Sequence, residues 1–329
     1  MKLAVLGAGA WGTAISISLA ARHSITLWAR DPAQARAMRD ARANQWYLPG
    51  FELPPAIDIT HDFAAAIADA GLVLVATTTA GLRATLKQID ATGTPASVIW
   101  LCKGFETESA QLPHQIATAE LAPRFARGSL SGPSFSAEVA RGLPTALTLA
   151  SDDPVFARDT ARELHHDRLR IYSSEDTVGV EVAGALKNVI AIAAGIGDGL
   201  QLGHNARAAL ITRGLAEITR LGRKLGGRTE TFMGLAGVGD LVLTCTGDLS
   251  RNRRVGLELA RGIALGEVLA RLGHVAEGVH TARAVRRLAN DLAVDMPLTQ
   301  AVCRVMDEGV PAREAVGELL KREPKAEDR

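Results

Sequence analysis

The run KLAVLGAGAWGTAISISLAA at residues 2–21 decides the fold. KLAVL has the length and apolar character of a strand, glycines at 7, 9 and 12 break it off, and TAISISLAA continues with a helical texture. A GxGxxG set between a strand and a helix is the signature of a dinucleotide-binding turn. Gly7 permits the tight turn, Gly9 lets a pyrophosphate approach bare backbone, and Gly12 allows the helix to pack closely on the sheet. Free amides and the positive end of the helix then attract the anion. The stretch superficially mimics a secretory signal, but its glycines interrupt it after a strand's length and a second strand-like run follows at once, so it reads as folded structure.

Working outward, short β-rich runs alternate with helical patterns up to about residue 175: ITLWAR (25–30), LVLVAT (72–77), SVIWLCK (97–103), GSLSG (128–132), TALTLAS (145–151) and LRIYSS (169–174). Continuous apolar runs of this kind suit parallel strands covered on both faces. After about residue 180 the texture changes to long Ala/Leu/Arg helices such as NARAALITRGLAEITRLGRKLG (205–226) and HTARAVRRLANDLA (280–293). The pattern predicts an α/β protein: a Rossmann-like, doubly wound, mostly parallel sheet over residues 1–179, then an all-α unit over 180–329. Ser174 or Asp176 is placed to cap the first helix of the second unit, and the charged tail after Lys321 reads as frayed.

A chain of 329 residues, 47% hydrophobic and 22% charged, suffices for two cores, and its net charge of +1 argues against coating nucleic acid or acidic membrane. Cys102, Cys245 and Cys303 are odd in number and widely spaced, which suggests neither a disulfide framework nor a zinc site and fits a reducing, cytoplasmic setting. His165 and His166 lack carboxylate or thiol partners at ligand spacing; they are assigned to the surface, and no metal is expected. Trp28, Trp46 and Trp100 are assigned to packing.

The run VAGALKNVIAIAAGIG (182–197) carries one charge, Lys187, beside Asn188, and these two residues also interrupt the chain's best candidate for a membrane span. On helical spacing Lys187 shares a face with Gly184, Ala191, Ala194 and Asp198, small neighbours that leave room for a backbone or a flat ligand. A buried ammonium needs a partner or a task, whereas a lysine near a helix end can instead snorkel to water. At the end of the second strand, Arg30-Asp31 offers two readings. Arg30 can pair with the extra phosphate of NADP while Asp31 caps the next helix, or Asp31 can take the ribose hydroxyls of NAD; the first is favoured.

Further segments then fall into line: WLCKGFE (100–106), SGPSFSAEV (131–139), Lys187-Asn188, GVGDLVLTCTGDLSRNRRVG (237–256) and VAEGVHT (275–281). With GAGAWG in front, the chain resembles, over nearly its whole length and in the same order, the bacterial-type glycerol-3-phosphate dehydrogenases, which interconvert sn-glycerol 3-phosphate and dihydroxyacetone phosphate with NAD(P). The resemblance implies a catalytic group of Lys187, Lys103 and Asp240. It implies substrate contacts from Lys103, Gly132, Ser134, Asn188, Asp240, Thr244, Ser250, Arg251 and Asn252. Cofactor contacts are implied from Gly7, Gly9, Ala10, Trp11, Gly12, Arg30, Lys103, Ser136, Arg251, Val275 and Glu277. It also implies a homodimer and supply of glycerol phosphate for phospholipid synthesis. Two departures stand out, Ala10 where the family has serine and Ser136 where it has alanine, and neither removes a catalytic group.

Chemically, hydride reduction of a ketone leaves negative charge on oxygen, which a nearby ammonium stabilises and protonates. Each residue also has a plainer reading: Lys103 capping its strand in solvent, SRNRR as a solvated basic turn, Asp240 as a helix cap, Thr244 and Cys245 as core. Two rival functions are a β-hydroxyacid dehydrogenase or ketoacid reductase, which would grip a carboxylate rather than a phosphate, and a dinucleotide sensor, which would need no helical lysine.

Overall fold

Strand β1 (Lys2–Leu6) is buried from Leu3 onward and leads through Gly7 into a helix at Ala10–Leu19, as its sequence dictates. The computed structural model describes residues 1–272 and 276–323. The remaining strands are β2 (Ser24–Trp28), β3 (Ala43–Asn44), β4 (Leu48–Glu52), β5 (Ile57–Thr60), β6 (Leu72–Val75), β7 (Ser97–Trp100), β8 (Arg127–Ser131), β9 (Thr145–Ala150) and β10 (Leu169–Ser174). Eight of them form one sheet in the order β10-β9-β8-β7-β6-β1-β2-β5, parallel throughout except where β8 meets β9, while β3 and β4 make a separate antiparallel ribbon.

Two cores explain the unbroken apolar runs. On one face Leu3, Val5, Leu27, Leu72 and Leu74 pack together; on the other, Ala4, Leu6, Trp28, Val73 and Val75 do so. Alternate residues of one strand thus serve opposite layers, as a sheet covered on both sides requires. The sheet holds one strand more than the sequence runs suggest. β5 is four residues long, exposes Asp58 and sits at an edge, so it carries no continuous apolar signal.

From Thr177 onward the described chain is helical. The central helix Thr177–Gly199 is capped by Asp176, which accepts the Gly179 amide at 2.8 Å through Oδ1 and, through Oδ2, the Arg228 amide at 2.8 Å and the Thr231 hydroxyl at 2.6 Å. Among the described helices it alone is long and apolar enough to cross a membrane, with mean hydropathy 1.5, yet that stretch is 100% buried within the protein. It is a core helix wrapped by the helices Gly203–Lys224, Asp240–Thr246, Arg251–Ala260 and Glu277–Asp291.

Two assignments need correction. His165 and His166 are half-buried rather than on the surface, and His166 Nε2 meets the Ser18 hydroxyl at 3.0 Å, joining the strand-β10 end of the sheet to the first helix. Trp46, at 50% exposure, lies on the β3–β4 ribbon and is no packing residue. The tail from residue 324 lies outside the described residues.

The central helix and Arg251–Ala260 cross with their backbones in contact. A Cβ on Gly195 would stand 2.0 Å from the Arg253 carbonyl oxygen, and one on Gly256 2.0 Å from that of Ile192. Gly256→Ala should therefore force the helices apart, lowering unfolding free energy by about 2 kcal/mol and raising the KM for the substrate whose contacts the resemblance places at residues 250–252. Denaturant unfolding with steady-state kinetics checks this, and wild-type values would show that the contact does not constrain the crossing.

Candidate functional site

The carboxyl ends of β1 and β6, where the strand order reverses, open into a cleft of about 1060 Å³ between the sheet and the helical half. Its floor is the glycine turn. Gly7 has φ +122° and faces the Ala76 carbonyl so closely that a Cβ would lie 2.7 Å from its oxygen, while a Cβ on Gly12 would meet the Gly7 carbonyl at 2.0 Å. At Gly9 a Cβ would meet nothing within 4 Å, which leaves the backbone open where the helix begins. The Ala8 carbonyl is drawn into the protein by two side-chain amides, Gln34 Nε2 at 2.7 Å and Asn44 Nδ2 at 3.0 Å, and Asn44 Nδ2 also reaches the Thr13 hydroxyl at 2.7 Å. Gln34 and Asn44 belong to no motif, and only their burial reveals them.

Ala10, Trp11, Arg30, Ser136 and Glu277 line the same cleft. Arg30 is exposed two residues beyond β2, and Asp31 turns away to cap Pro32–Ala41, accepting the Ala33 amide at 2.8 Å. The Asp31 carboxylate is thus engaged in the first of the two ways open in the sequence. Burial raises the Glu277 carboxyl pKa, and Lys103, Lys187 and Arg251 oppose that rise. Val275 lies outside the described residues.

At the centre, Asp240 is fully buried and receives two lysines: Lys187 Nζ on Oδ1 at 2.5 Å and Lys103 Nζ on Oδ2 at 2.8 Å. Lys103 also donates to the Gly132 carbonyl at 3.0 Å, and Thr244 Oγ1 donates to the Asp240 carbonyl at 2.6 Å. Asp240 follows a π-helical turn at Leu235–Gly239, a local unwinding common at functional sites, and its side chain serves the lysines rather than capping a helix. The Lys187 side chain is only 10% exposed and does not snorkel. Burial first, then the neighbouring Lys103, lowers its pKa to about 8 against the pull of Asp240.

A second polar chain starts at Asn188, the residue after Lys187, and lines the same cleft. Asn252 Nδ2 donates to Asn188 Oδ1 at 2.9 Å, and Asn252 Oδ1 accepts the Gly278 amide at 3.1 Å, leaving the Asn188 amide nitrogen as a donor. Ser250 caps the Arg251–Ala260 helix by accepting the Arg253 amide at 3.2 Å. Arg251 is exposed at that helix start and lines the cleft with Ser134, Asn188, Thr244, Ser250 and Asn252. Ser134 Oγ donates to the Gly132 carbonyl at 2.9 Å. The SRNRR run is therefore only partly solvated. Arg253 Nε bonds Asp198 at 2.7 Å, Arg207 Nε holds the other Asp198 oxygen at 2.7 Å, and the loop is pinned to the end of the central helix.

The structure thus gathers Gly9, Ala10, Trp11, Arg30, Lys103, Ser134, Ser136, Lys187, Asn188, Thr244, Ser250, Arg251, Asn252 and Glu277 around one cleft. Gly7, Gly12, Gly132 and Asp240 support it from behind. Among the described residues no cluster of three or more His, Cys, Asp or Glu is arranged to hold a metal, and the three cysteines are free and buried.

Residues 2–157 match the family model for the N-terminus of NAD-dependent glycerol-3-phosphate dehydrogenase, and residues 176–317 match the model for its C-terminus. The chain belongs to the NAD-dependent glycerol-3-phosphate dehydrogenase family. It is 58% identical over 331 residues to a glycerol-3-phosphate dehydrogenase [NAD(P)+] of Nitrosospira multiformis, with 99% of each chain covered. A relative of the same name from Dechloromonas aromatica is 56% identical over 327 residues, again with 99% of each covered. Among solved structures, the glycerol-3-phosphate dehydrogenase of Coxiella burnetii superposes with a TM-score of 0.93 at 39% identity, covering 98% of this chain and 99% of that one.

In this dehydrogenase the depressed Lys187 pKa carries a stability consequence. The folded state loses this proton near pH 8, whereas the unfolded chain keeps it to its ordinary value of 10.5, so the cost of burying the charge is full below about 8 and is relieved as pH rises to 10.5. At about 1.4 kcal/mol per pKa unit the relief is roughly 3 kcal/mol. Unfolding free energy should rise over that window, and Lys187→Met should remove the rise. An unchanged pH slope in the variant would show that the Lys187 pKa is not depressed.

Proposed function

We propose that this chain interconverts dihydroxyacetone phosphate and sn-glycerol 3-phosphate with NAD(P)H, and that Lys187 carries the proton. The observation that supports this best is a buried ammonium of lowered pKa beside a glycine-turn cleft, paired with a carboxylate that also holds a second lysine. The residues present suit a dinucleotide: a bare backbone at Gly9, a helix start behind it and an exposed arginine beyond β2. When bound, the reduced nicotinamide supplies the hydride.

In the reducing direction Lys187 donates its proton to the carbonyl oxygen as charge develops there, and in the oxidising direction neutral Lys187 accepts the alcohol proton. Asp240 orients the lysine through either transfer. Lys103, on the other Asp240 oxygen, keeps positive charge beside the reacting oxygen after Lys187 has given its proton away. Arg251, Asn252, Ser250 and Ser134 take the phosphate, with the planar guanidinium of Arg251 presenting a fork of donors. Anchoring the remote phosphate aligns the carbonyl, so binding energy is spent on orientation. Glu277, Trp11 and Arg30 belong to the cofactor end, and the free Arg30 favours NADPH over NADH.

The same proposal divides the chain into a dinucleotide unit over 1–179 and a substrate unit over 180–329. It makes the protein a cytoplasmic homodimer that supplies glycerol phosphate to phospholipid synthesis.

Absorbance at 340 nm with dihydroxyacetone phosphate and each reduced cofactor tests the reaction. Lys187→Met should cut turnover by about three orders of magnitude with cofactor affinity nearly retained, whereas Arg251→Lys should chiefly raise the substrate KM, about tenfold or more. Faster reduction of a ketoacid than of the phosphate ester would overturn the substrate assignment. Arg30→Ala should penalise NADPH more than NADH, and equal losses would show that the arginine does not read the extra phosphate.

A further inference from the structure

Outside the cleft lies a second buried carboxylate. Glu181, 4% exposed, accepts Trp100 Nε1 at 2.6 Å through Oε1; through Oε2 it accepts His114 Nδ1 at 2.6 Å and the His114 backbone amide at 3.2 Å. Trp100 ends β7 three residues before Lys103, and Glu181 sits on the central helix six residues before Lys187. His114 belongs to the first turn of Pro113–Glu120, so the carboxylate also faces the positive end of that helix. Burial lowers the His114 pKa, but the Glu181 hydrogen bond and charge, with Asp152 in support and Arg127 opposed, outweigh it and leave the value raised.

We propose that Glu181 is a positioning residue for the proton-transfer pair: it ties the strand end that delivers Lys103 to the helix that delivers Lys187, fixing the separation at which both ammonium groups meet Asp240. Asp240 alone does not fix that separation, because each lysine tip hangs on four methylenes that can take up slack. The indole of Trp100 is 1% exposed and packed in the core, and an acceptor shared by three N–H donors is held in orientation as well as in place. Glu181 does not line the cleft, so it acts through the two elements it joins. A displacement of about 1 Å at the reacting atoms costs on the order of a hundredfold in rate, so a backbone tie of this kind is read in kcat.

The proposal rests on Lys187 as proton carrier, and its test separates the two. Full-length Glu181→Ala, Glu181→Gln, Trp100→Phe and Lys187→Met are compared in dihydroxyacetone phosphate reduction, with NADPH binding titrated alongside. Glu181→Ala should lower kcat about 30-fold, and Trp100→Phe, which removes the indole N–H together with the smaller ring that carries it, about fivefold; in both, substrate KM and NADPH Kd should stay within about threefold of wild type. Glu181→Gln keeps an acceptor for the indole and should return kcat to within about threefold. Wild-type kcat in Trp100→Phe, a Glu181→Gln variant as slow as Glu181→Ala, or parallel losses in KM and cofactor affinity would each overturn the tie. Should Glu181→Ala fail to fold, Trp100→Phe and Glu181→Gln decide. Turnover that survives Lys187→Met would bring down the proton-carrier reading itself, whereas turnover lost there but intact in Trp100→Phe would bring down only the tie.

Discussion

Two ammonium groups share one carboxylate that water does not reach. Asp240, Lys103 and Lys187 together carry a formal charge of +1 in a setting where an unpaired charge would be very costly, so the cluster persists only because each oxygen of Asp240 takes one lysine. The remaining architecture serves this arrangement. The apolar central helix brings Lys187 in, the end of β7 leads to Lys103, and a π-helical turn sets Asp240 between them. The residual positive charge beside an open cleft is what an anionic substrate and a developing oxyanion both call for.

The architecture divides the labour. The sheet supplies a turn in which Gly7 and Gly12 cannot be replaced without backbone collision, and the helical half supplies side chains with reach. Contact between Gly195 and the Arg251–Ala260 helix then brings the Ser250–Asn252 corner to the cleft that Lys187 also lines, and the Asp198 pair with Arg207 and Arg253 keeps it there. Because these anchors lie outside the cleft, the site's geometry depends on residues that no substrate touches.

Much of this was legible in the residues. GAGAWG between a strand and a helix named the turn, and a lone lysine in an apolar run singled out Lys187, whereas the SRN corner taken alone read as a solvated basic turn and drew notice only through the family resemblance. The first two signals are local, and each violates the surrounding pattern in a way chemistry explains. What stayed hidden depends on partners distant in the chain. Asn44 and Gln34 look like ordinary polar residues until the Ala8 carbonyl turns up between them. Glu181 resembles a helix-surface glutamate until Trp100 and His114 arrive from 81 and 67 residues away. β5 is an edge strand too short and too polar to announce itself. The Arg30-Asp31 pair was ambiguous because one carboxylate can serve a ribose or a helix cap, and only backbone geometry distinguishes them.

The pairing between Lys187 and Asp240 spans 53 residues, and this bears on how the protein is made. A ribosome delivers the lysine, with all of the sheet already synthesised, well before it delivers the carboxylate. In that interval the nascent segment around Lys187 has apolar neighbours to join but no counter-ion, so sealing it in place is unfavourable. The lysine can be buried as an ion pair only once Asp240, 53 residues further along, has been translated.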